Sequence, residues 1–258
     1  MPVDVRAVAT SSVDERDAGL RLSPYHLDHL RQSAISLDFI GQRGYQTIVD
    51  RKQLEALGFK KQQCRVPGIL MPLHGVNGDG IVSYQFRPDS PRLNNRGKPI
   101  KYETPAGAGN RIDCPTSCRD GLADPKIELL VTEGLKKADA MASQGECVIA
   151  LTGIWNWKAR NQFGGITVSS DFDHIALNGR TVLLVPDSDY ATNPGVAQAV
   201  KRLAENLRRK KAVVSVVLLP PGSNGAKIGA DDFLAGGHTI DQLKALAIPF
   251  EETTPAQE

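Results

Sequence analysis

Apolar residues take two textures along this chain. From residue 126 onward they gather into short, mostly apolar runs at 127–132, 147–151, 181–186 and 213–219. Runs of that length and continuity are what strands buried on both faces require. Between them the spacing turns helical. Leu135, Ala138 and Met141 share one face over 134–144, and Val196, Val200, Leu203 and Leu207 share one over 194–210. Strand alternating with helix predicts a parallel α/β sheet. A faint helical signal lies near 171–177, and two closing helices are predicted at 231–235 and 240–247.

Upstream the pattern is different. Residues 1–20 are polar and aperiodic, which predicts disorder. Ser23-Pro24 reads as an N-cap with proline at the first helical position, opening a helix through Tyr25, Leu27, Leu30 and Ile35. Ser36 caps a second short helix through Phe39 and Ile40, stopped at Gly41 or Gly44, and 50–57 forms a third that ends at Gly58. Then come a strand at 68–73, the turn Asn77-Gly-Asp-Gly80, and a returning strand at 81–87. A polar loop covers 88–99, a further strand 100–104 ends at Pro105, and 106–125 is loop. The chain thus divides into a disordered start (1–20), a helical lead-in (21–63), a strand-rich subdomain (64–125), an α/β domain (126–248) and a tail or linker (249–258).

A length of 258 residues suits one large or two modest domains, and 41% hydrophobic with 23% charged residues is ordinary for a globular protein. The net charge of +2 does not by itself point to a polyanion. Its distribution is more telling: 87–111 carries Arg87, Arg92, Arg96, Lys98, Lys101 and Arg111 against Asp89 and Glu103. That excess is either a polyanion footprint or solvated surface. No apolar run reaches the roughly 18 residues that span a bilayer, and the start lacks a basic-then-apolar signal, so a cytoplasmic protein with no membrane partner is expected. Of Cys64, Cys114, Cys118 and Cys147 only the middle two are close, and no second pair or nearby histidine completes a tetrahedral set. Reduced thiols and no zinc are expected.

The candidate chemistry lies just past the carboxyl ends of the predicted parallel strands, the edge where open α/β sheets bind ligands. Glu133, before Gly134, suits a general base or metal ligand, or else merely favours a helix N-terminus. Asp187 and Asp189, two apart in extended chain, would point the same way and offer oxygen ligands to Mg²⁺, or form an acidic turn. Asp231 is the preferred metal residue of the third site. Either it or Asp232 also suits an N-cap. Lys136 and Lys137, in the first turn of a helix, and Lys227, in a loop, are candidates for phosphate or for solvent. Trp155 and Trp157 either stack on a base, worth roughly 1–3 kcal/mol, or anchor their loop.

Jointly, Glu133-Gly134, Asp187-x-Asp189 and the strand order between them resemble a Toprim domain over 127–247, the catalytic module of bacterial-type primases, topoisomerases and some nucleases. Upstream, Met71-Pro-Leu, Gly80, Tyr84-Gln-Phe-Arg87 and Ile100-Lys101-Tyr102 follow the order found in bacterial replicative primases, and Phe39-Ile-Gly-Gln-Arg43-Gly44-Tyr45 with Leu57-Gly58-Phe59 is similar to their helical segment. Glu133-Gly-Leu-Lys-Lys-Ala-Asp139, Thr152-Gly-Ile-Trp-Asn-Trp157 and Lys227 with Asp231-Asp232-Phe-Leu look like the variant carried by plasmids, phages and integrative elements. The resemblance implies a Toprim-like parallel sheet flanked by helices, preceded by a small basic α+β subdomain and a helical lead-in. It implies Mg²⁺- or Mn²⁺-dependent nucleotidyl transfer on single-stranded DNA with nucleoside triphosphates, in replication of a mobile element, with a replicative helicase as a further candidate partner. Glu133 would be the acid/base, Asp187, Asp189 and Asp231 the metal ligands, and Arg87 and Lys101 contacts to phosphate. Gly229-Ala230 departs from the Asp-Pro that precedes the last acid in primases, leaving one carboxylate fewer. A Toprim nuclease and a non-catalytic DNA- or helicase-binding module are the alternatives.

Overall fold

Serines open the first two helices as their sequence positions predict. In the computed structural model, which describes residues 20–160 and 163–251, Ser23 Oγ accepts from His26 N at the start of α1 (Pro24–Arg31) and Ser36 Oγ accepts from Phe39 N at α2 (Leu37–Arg43), both at 3.3 Å. Gly44 ends α2 in the left-handed region, φ 74°. After β1 (Gln46–Ile48) and α3 (Arg51–Ala56), β2 (Gly68–His74) and β3 (Ile81–Pro88) complete a three-stranded antiparallel sheet in the order β1-β2-β3. The strand expected at 100–104 is instead a single bridge. Glu103 exchanges both backbone hydrogen bonds with Phe86, at 2.8 and 2.9 Å, and the pairing goes no further. Pro99 and Pro105, which lack an N–H for a ladder, bracket the segment.

The second sheet has six strands in the order β11-β10-β9-β5-β6-β4. The chain from β4 onward runs β4 (Ile112–Asp113), β5 (Leu129–Glu133), α4 (Leu135–Ala142), β6 (Val148–Leu151), β7 (Lys158–Arg160), β8 (Ile166–Val168), β9 (Thr181–Val185), α5 (Pro194–Arg209), β10 (Val213–Val217), α6 (Ala230–Ala235), α7 (Ile240–Lys244) and β11 (Ala247–Pro249), with β7 and β8 pairing only with each other. β10, β9, β5 and β6 run parallel, and β11 and β4 add antiparallel edges. Leu129, Leu130, Val148, Ile149, Ala150 and Val182 are wholly buried, which explains why these strands read as continuous apolar runs. The fold class is the expected α/β one. Four details differ from expectation. β4 lies within the predicted loop, β11 follows a shorter last helix than predicted, β7 and β8 form a hairpin in the tryptophan-containing loop, and 171–177 holds a 3₁₀ turn (Ser170–His174). Most of the predicted disordered start and of the tail lies outside the described residues.

One buried ion cluster ties the parts together. Arg43, at the end of α2, places Nη2 2.7 Å from Asp113 Oδ2 on β4 and Nε 2.9 Å from Asp139 Oδ1 on α4. Asp113 Oδ1 also accepts from His74 N on β2 (2.8 Å), and the Tyr45 hydroxyl donates to Asp139. Arg43, Asp113 and Asp139 have at most 1% of their surface exposed. Burial pushes the Asp139 carboxyl above its usual range, against the pull of Arg43. Removing one partner of a buried pair strands the other's charge. Arg43→Met is therefore expected to destabilise the protein by about 3–5 kcal/mol in urea denaturation. Arg43→Lys should recover only part of this, because one ammonium does not reproduce the two-sided fork. A loss below about 1 kcal/mol for Arg43→Met would show that the cluster is dispensable.

Candidate active site

The parallel register sets the acids side by side. Thr132 of β5 pairs with Val185 of β9 and Glu133 with Leu151 of β6, so Glu133 and the residues after Val185 leave the sheet at one edge. Gly134 then turns the chain into α4 at φ 92°, its N–H bonded to Leu151 O at 2.7 Å. A Cβ there would meet nothing within 4 Å, so the backbone conformation, and not lack of space, calls for glycine. Asp187 starts a 3₁₀ turn (Ser188–Ala191), which corrects the expectation of extended chain through Asp189. Both carboxylates nevertheless meet one cation. Lys227 Nζ lies 2.9 Å from Asp187 Oδ2 and 3.2 Å from Asp189 Oδ1.

The two lysines of α4 are paired as well. Lys137 reaches Asp187 Oδ1, and Lys136 donates to Ser33 Oγ (2.7 Å) and stands 3.6 Å from Asp231 Oδ2. Neither acid of the third site is the N-cap: that place falls to Gly229, whose N–H is accepted by Asp232 Oδ2 at 2.9 Å. Asp232 thus holds the first turn of α6, while Asp231 is buried.

A pocket of about 530 Å³ gathers most of the expected residues. Its acids are Glu133, Asp187, Asp231 and Asp232. Its cations, Arg87, Lys101, Lys136, Lys137 and Lys227, outnumber them, and the first two reach it from the β3 side. Gln85, Tyr102 and Thr152 also line it. Gln85, Tyr102 and Thr152 all lie within the motifs of the family resemblance, which assigns them no role, and their place at the pocket follows from how the two sheets face each other. Asp189 joins through Lys227. Trp155 does not line this pocket: it belongs to a separate one of about 480 Å³, with the Lys158 ammonium 3.8 Å from its ring centroid. Trp157 is buried in the core, with 4% exposure.

Burial shapes the titration here. It raises Glu133 above the usual carboxylate range, opposed by Lys137 and aided by Asp187. Asp231 rises for the same first reason, against Lys136, and Lys136 falls through burial, against Asp231. Burial also disfavours the charge on Lys227, but Asp187 and Asp189 outweigh it and raise the ammonium. His29, nearby, is lowered to about 4 by burial and by the charges of Lys136 and Arg87.

The site's capacity for a metal ion rests on the aspartates. Among the described residues no group of three or more histidines, cysteines, aspartates or glutamates stands ready as a ligand set. Two of the acids nonetheless share a cation already, in the form of the Lys227 ammonium. Oδ1 of Asp187, of Asp189 and of Asp231 is buried without a hydrogen bond, the first two facing lysines only as ion pairs. An all-oxygen donor set with unsatisfied lone pairs fits a hard divalent ion, given that Lys227 can leave.

Comparison with known proteins bears on the fold. The model of a domain of unknown function (DUF3854) matches residues 121–239, the segment holding Glu133, Asp187 and Asp231. An uncharacterized protein of Picosynechococcus is 27% identical over 165 residues, which is 51% of this chain and 16% of that protein, so the chain spans about a sixth of that relative's length. Among solved structures, the zinc-binding and RNA polymerase domains of the Aquifex aeolicus primase superpose with a TM-score of 0.61 at 11% identity, covering 87% of this chain and 55% of that one. The RNA polymerase domain of the Mycobacterium tuberculosis primase DnaG gives 0.54 at 16% identity, covering 92% and 78%. The fold of the chain is that of these primase polymerase domains.

Two measurements test the site's physical picture. A Cβ on Gly229 would come within 2.5 Å of Lys137 Cε and 2.8 Å of Asp231 Oδ1. Its φ of −106° would suit any residue, so the constraint is spatial. Because the obstructing atoms are flexible side-chain ends, Gly229→Ala is expected to displace Lys137. Gly229→Ala and Lys137→Ala should therefore be non-additive by about 0.5–3 kcal/mol in a double-mutant denaturation cycle, whereas additive effects would place Lys137 elsewhere. The second test concerns Glu133, whose folded carboxyl titrates above its unfolded value. Stability tied to it is complete below the unfolded value of roughly 4.3 and declines as pH rises through the raised one. Glu133→Gln, without added metal, is accordingly expected to raise Tm at neutral pH, with the gain vanishing near pH 4.

Proposed function

We propose that the chain is a primase-like nucleotidyltransferase core, acting on single-stranded DNA and nucleoside triphosphates with Mg²⁺ or Mn²⁺. The observation that carries this reading is the joint pocket: sheet-edge acids from the α/β part facing Arg87 and Lys101 from the antiparallel part. A nuclease needs the acids and water. Cations contributed from a second sheet suit the phosphates of a template and an incoming nucleotide. In this reading 126–248 is the catalytic domain, 64–125 holds the nucleotides and 21–63 braces both. The motifs shared with plasmid- and phage-type primases make mobile-element replication its setting, with a replicative helicase as a further partner.

The reaction would join a 3′-oxygen to the α-phosphorus of the incoming triphosphate as the bond to the β-phosphate breaks and pyrophosphate leaves. The hydroxyl proton passes to Glu133, whose raised carboxyl makes it a better base than an ordinary glutamate. Arg87, Lys101 and Lys136 hold phosphate oxygens in line, which supplies orientation and offsets charge. Asp187 and Asp189, with Asp231 nearby, would hold the divalent ion, whose chemistry when bound is to offset charge on phosphate oxygens and acidify the attacking hydroxyl. Trp155, outside the pocket, is assigned to template stacking at its flank.

An extension assay tests this. With single-stranded template, ribo- and deoxynucleotides and Mg²⁺ or Mn²⁺, template-complementary oligonucleotides are expected from the wild type. Asp187→Asn/Asp189→Asn should reduce them at least about 10²-fold. Template shortening lost in the same variant would identify a nuclease. Equal DNA binding by both proteins with no turnover by either would identify a non-catalytic module.

A further inference from the structure

Resting on the reading above, we infer that Lys227 is an exchangeable internal cation, which fills the Asp187–Asp189 site until a single divalent ion takes its place. The argument starts from a contrast between two lysines on one carboxylate. Lys137 comes from the first turn of α4, has 18% side-chain exposure, and lays its stem where a Cβ of Gly229 would otherwise be. It has little room to leave. Lys227 comes from the segment between β10 and α6 and keeps 50% of its side chain exposed. Its ammonium touches both aspartates, which is the position a shared cation would take.

Exchange does not require the loop to open. Ile228, the next residue, is tied to the Asp187–Asp189 turn by two hydrogen bonds, Ser188 N to Ile228 O at 2.9 Å and Ile228 N to Ser188 Oγ at 3.0 Å. The backbone beside Lys227 is therefore fixed to the very turn that carries the acids, and only the four-carbon side chain has to swing outward. Charge sets the stoichiometry. With Lys227 withdrawn, Asp187 and Asp189 face Lys137 alone and keep one net negative charge, enough to draw one divalent ion. A second would meet Lys137, the less exposed of the two lysines on Asp187. The displaced ammonium remains at the pocket rim, within reach of a phosphate.

Mn²⁺ binding to the full chain without substrate, followed by electron paramagnetic resonance, tests this independently of turnover. The wild type is expected to bind one Mn²⁺ per chain, and Lys227→Met to bind it at least tenfold more tightly because no ammonium has to be displaced. Lys227→Arg should bind more weakly than wild type, since a guanidinium holds two carboxylates as a fork. Asp187→Asn/Asp189→Asn should not bind. Equal affinity in wild type, Lys227→Met and Lys227→Arg, with binding still lost in the aspartate variant, would overturn the exchange and leave the metal site standing. Absence of Mn²⁺ binding in wild type and Lys227→Met alike would overturn the metal site itself.

Discussion

Arg43 carries one positive charge into the interior and meets two carboxylates there, one from the edge strand β4 and one from α4. Arg43, Asp113 and Asp139 are buried, so each depends on the others for its solvation, and His74 and Tyr45 add one hydrogen bond each. The cluster joins four pieces of chain: the end of α2 with Tyr45 just beyond it, β2, β4 and α4. Two of them lead directly to the candidate site. α4 carries Lys136 and Lys137 in its first turn, and β2 pairs along its length with β3, which carries Arg87. The elements that carry the acids and the cations of the pocket are thereby tied together by a guanidinium that does not itself line it.

Within the pocket the balance of charge differs from that of a bare acidic cluster. Lysines of α4 and of the segment before α6 meet the aspartates directly, and Gly229 is the residue that lets Lys137 through. Glycine at 229 and the present position of Lys137 go together, because a Cβ there would press on the lysine stem. Such a site rests as a set of ion pairs and does not hold its acids apart by repulsion.

The parallel strands were legible because burial on both faces leaves no alternation, and the helices because Ser23, Ser36 and the apolar face of α5 are local signals. The features without a local signal are short or non-local. β4 has two residues and exists because β6 and Arg43 receive it, and 100–104 has the look of a strand but pairs with β3 at Phe86 alone, its first residue bonding instead to Arg92. At the site, the acids could be placed because strand ends announce themselves. The pairing of Lys137 with Asp187 and of Lys227 with both aspartates could not, since nothing in the spacing says which loop folds over which. Nor did it show that Trp155 would sit in a neighbouring groove under Lys158.

The short antiparallel strands at the two borders of the large sheet have a consequence for self-association. Four largely buried, mostly apolar parallel strands would, if open at the border, offer a long row of unpaired N–H and C=O groups to another chain. Here the border on one side is two residues long, and on the other it is three residues ending in Pro249, which has no N–H to give. Edges so brief present too little ladder to recruit a neighbour. The chain can therefore keep an uninterrupted greasy centre beneath its charged pocket without turning that centre into a template for aggregation.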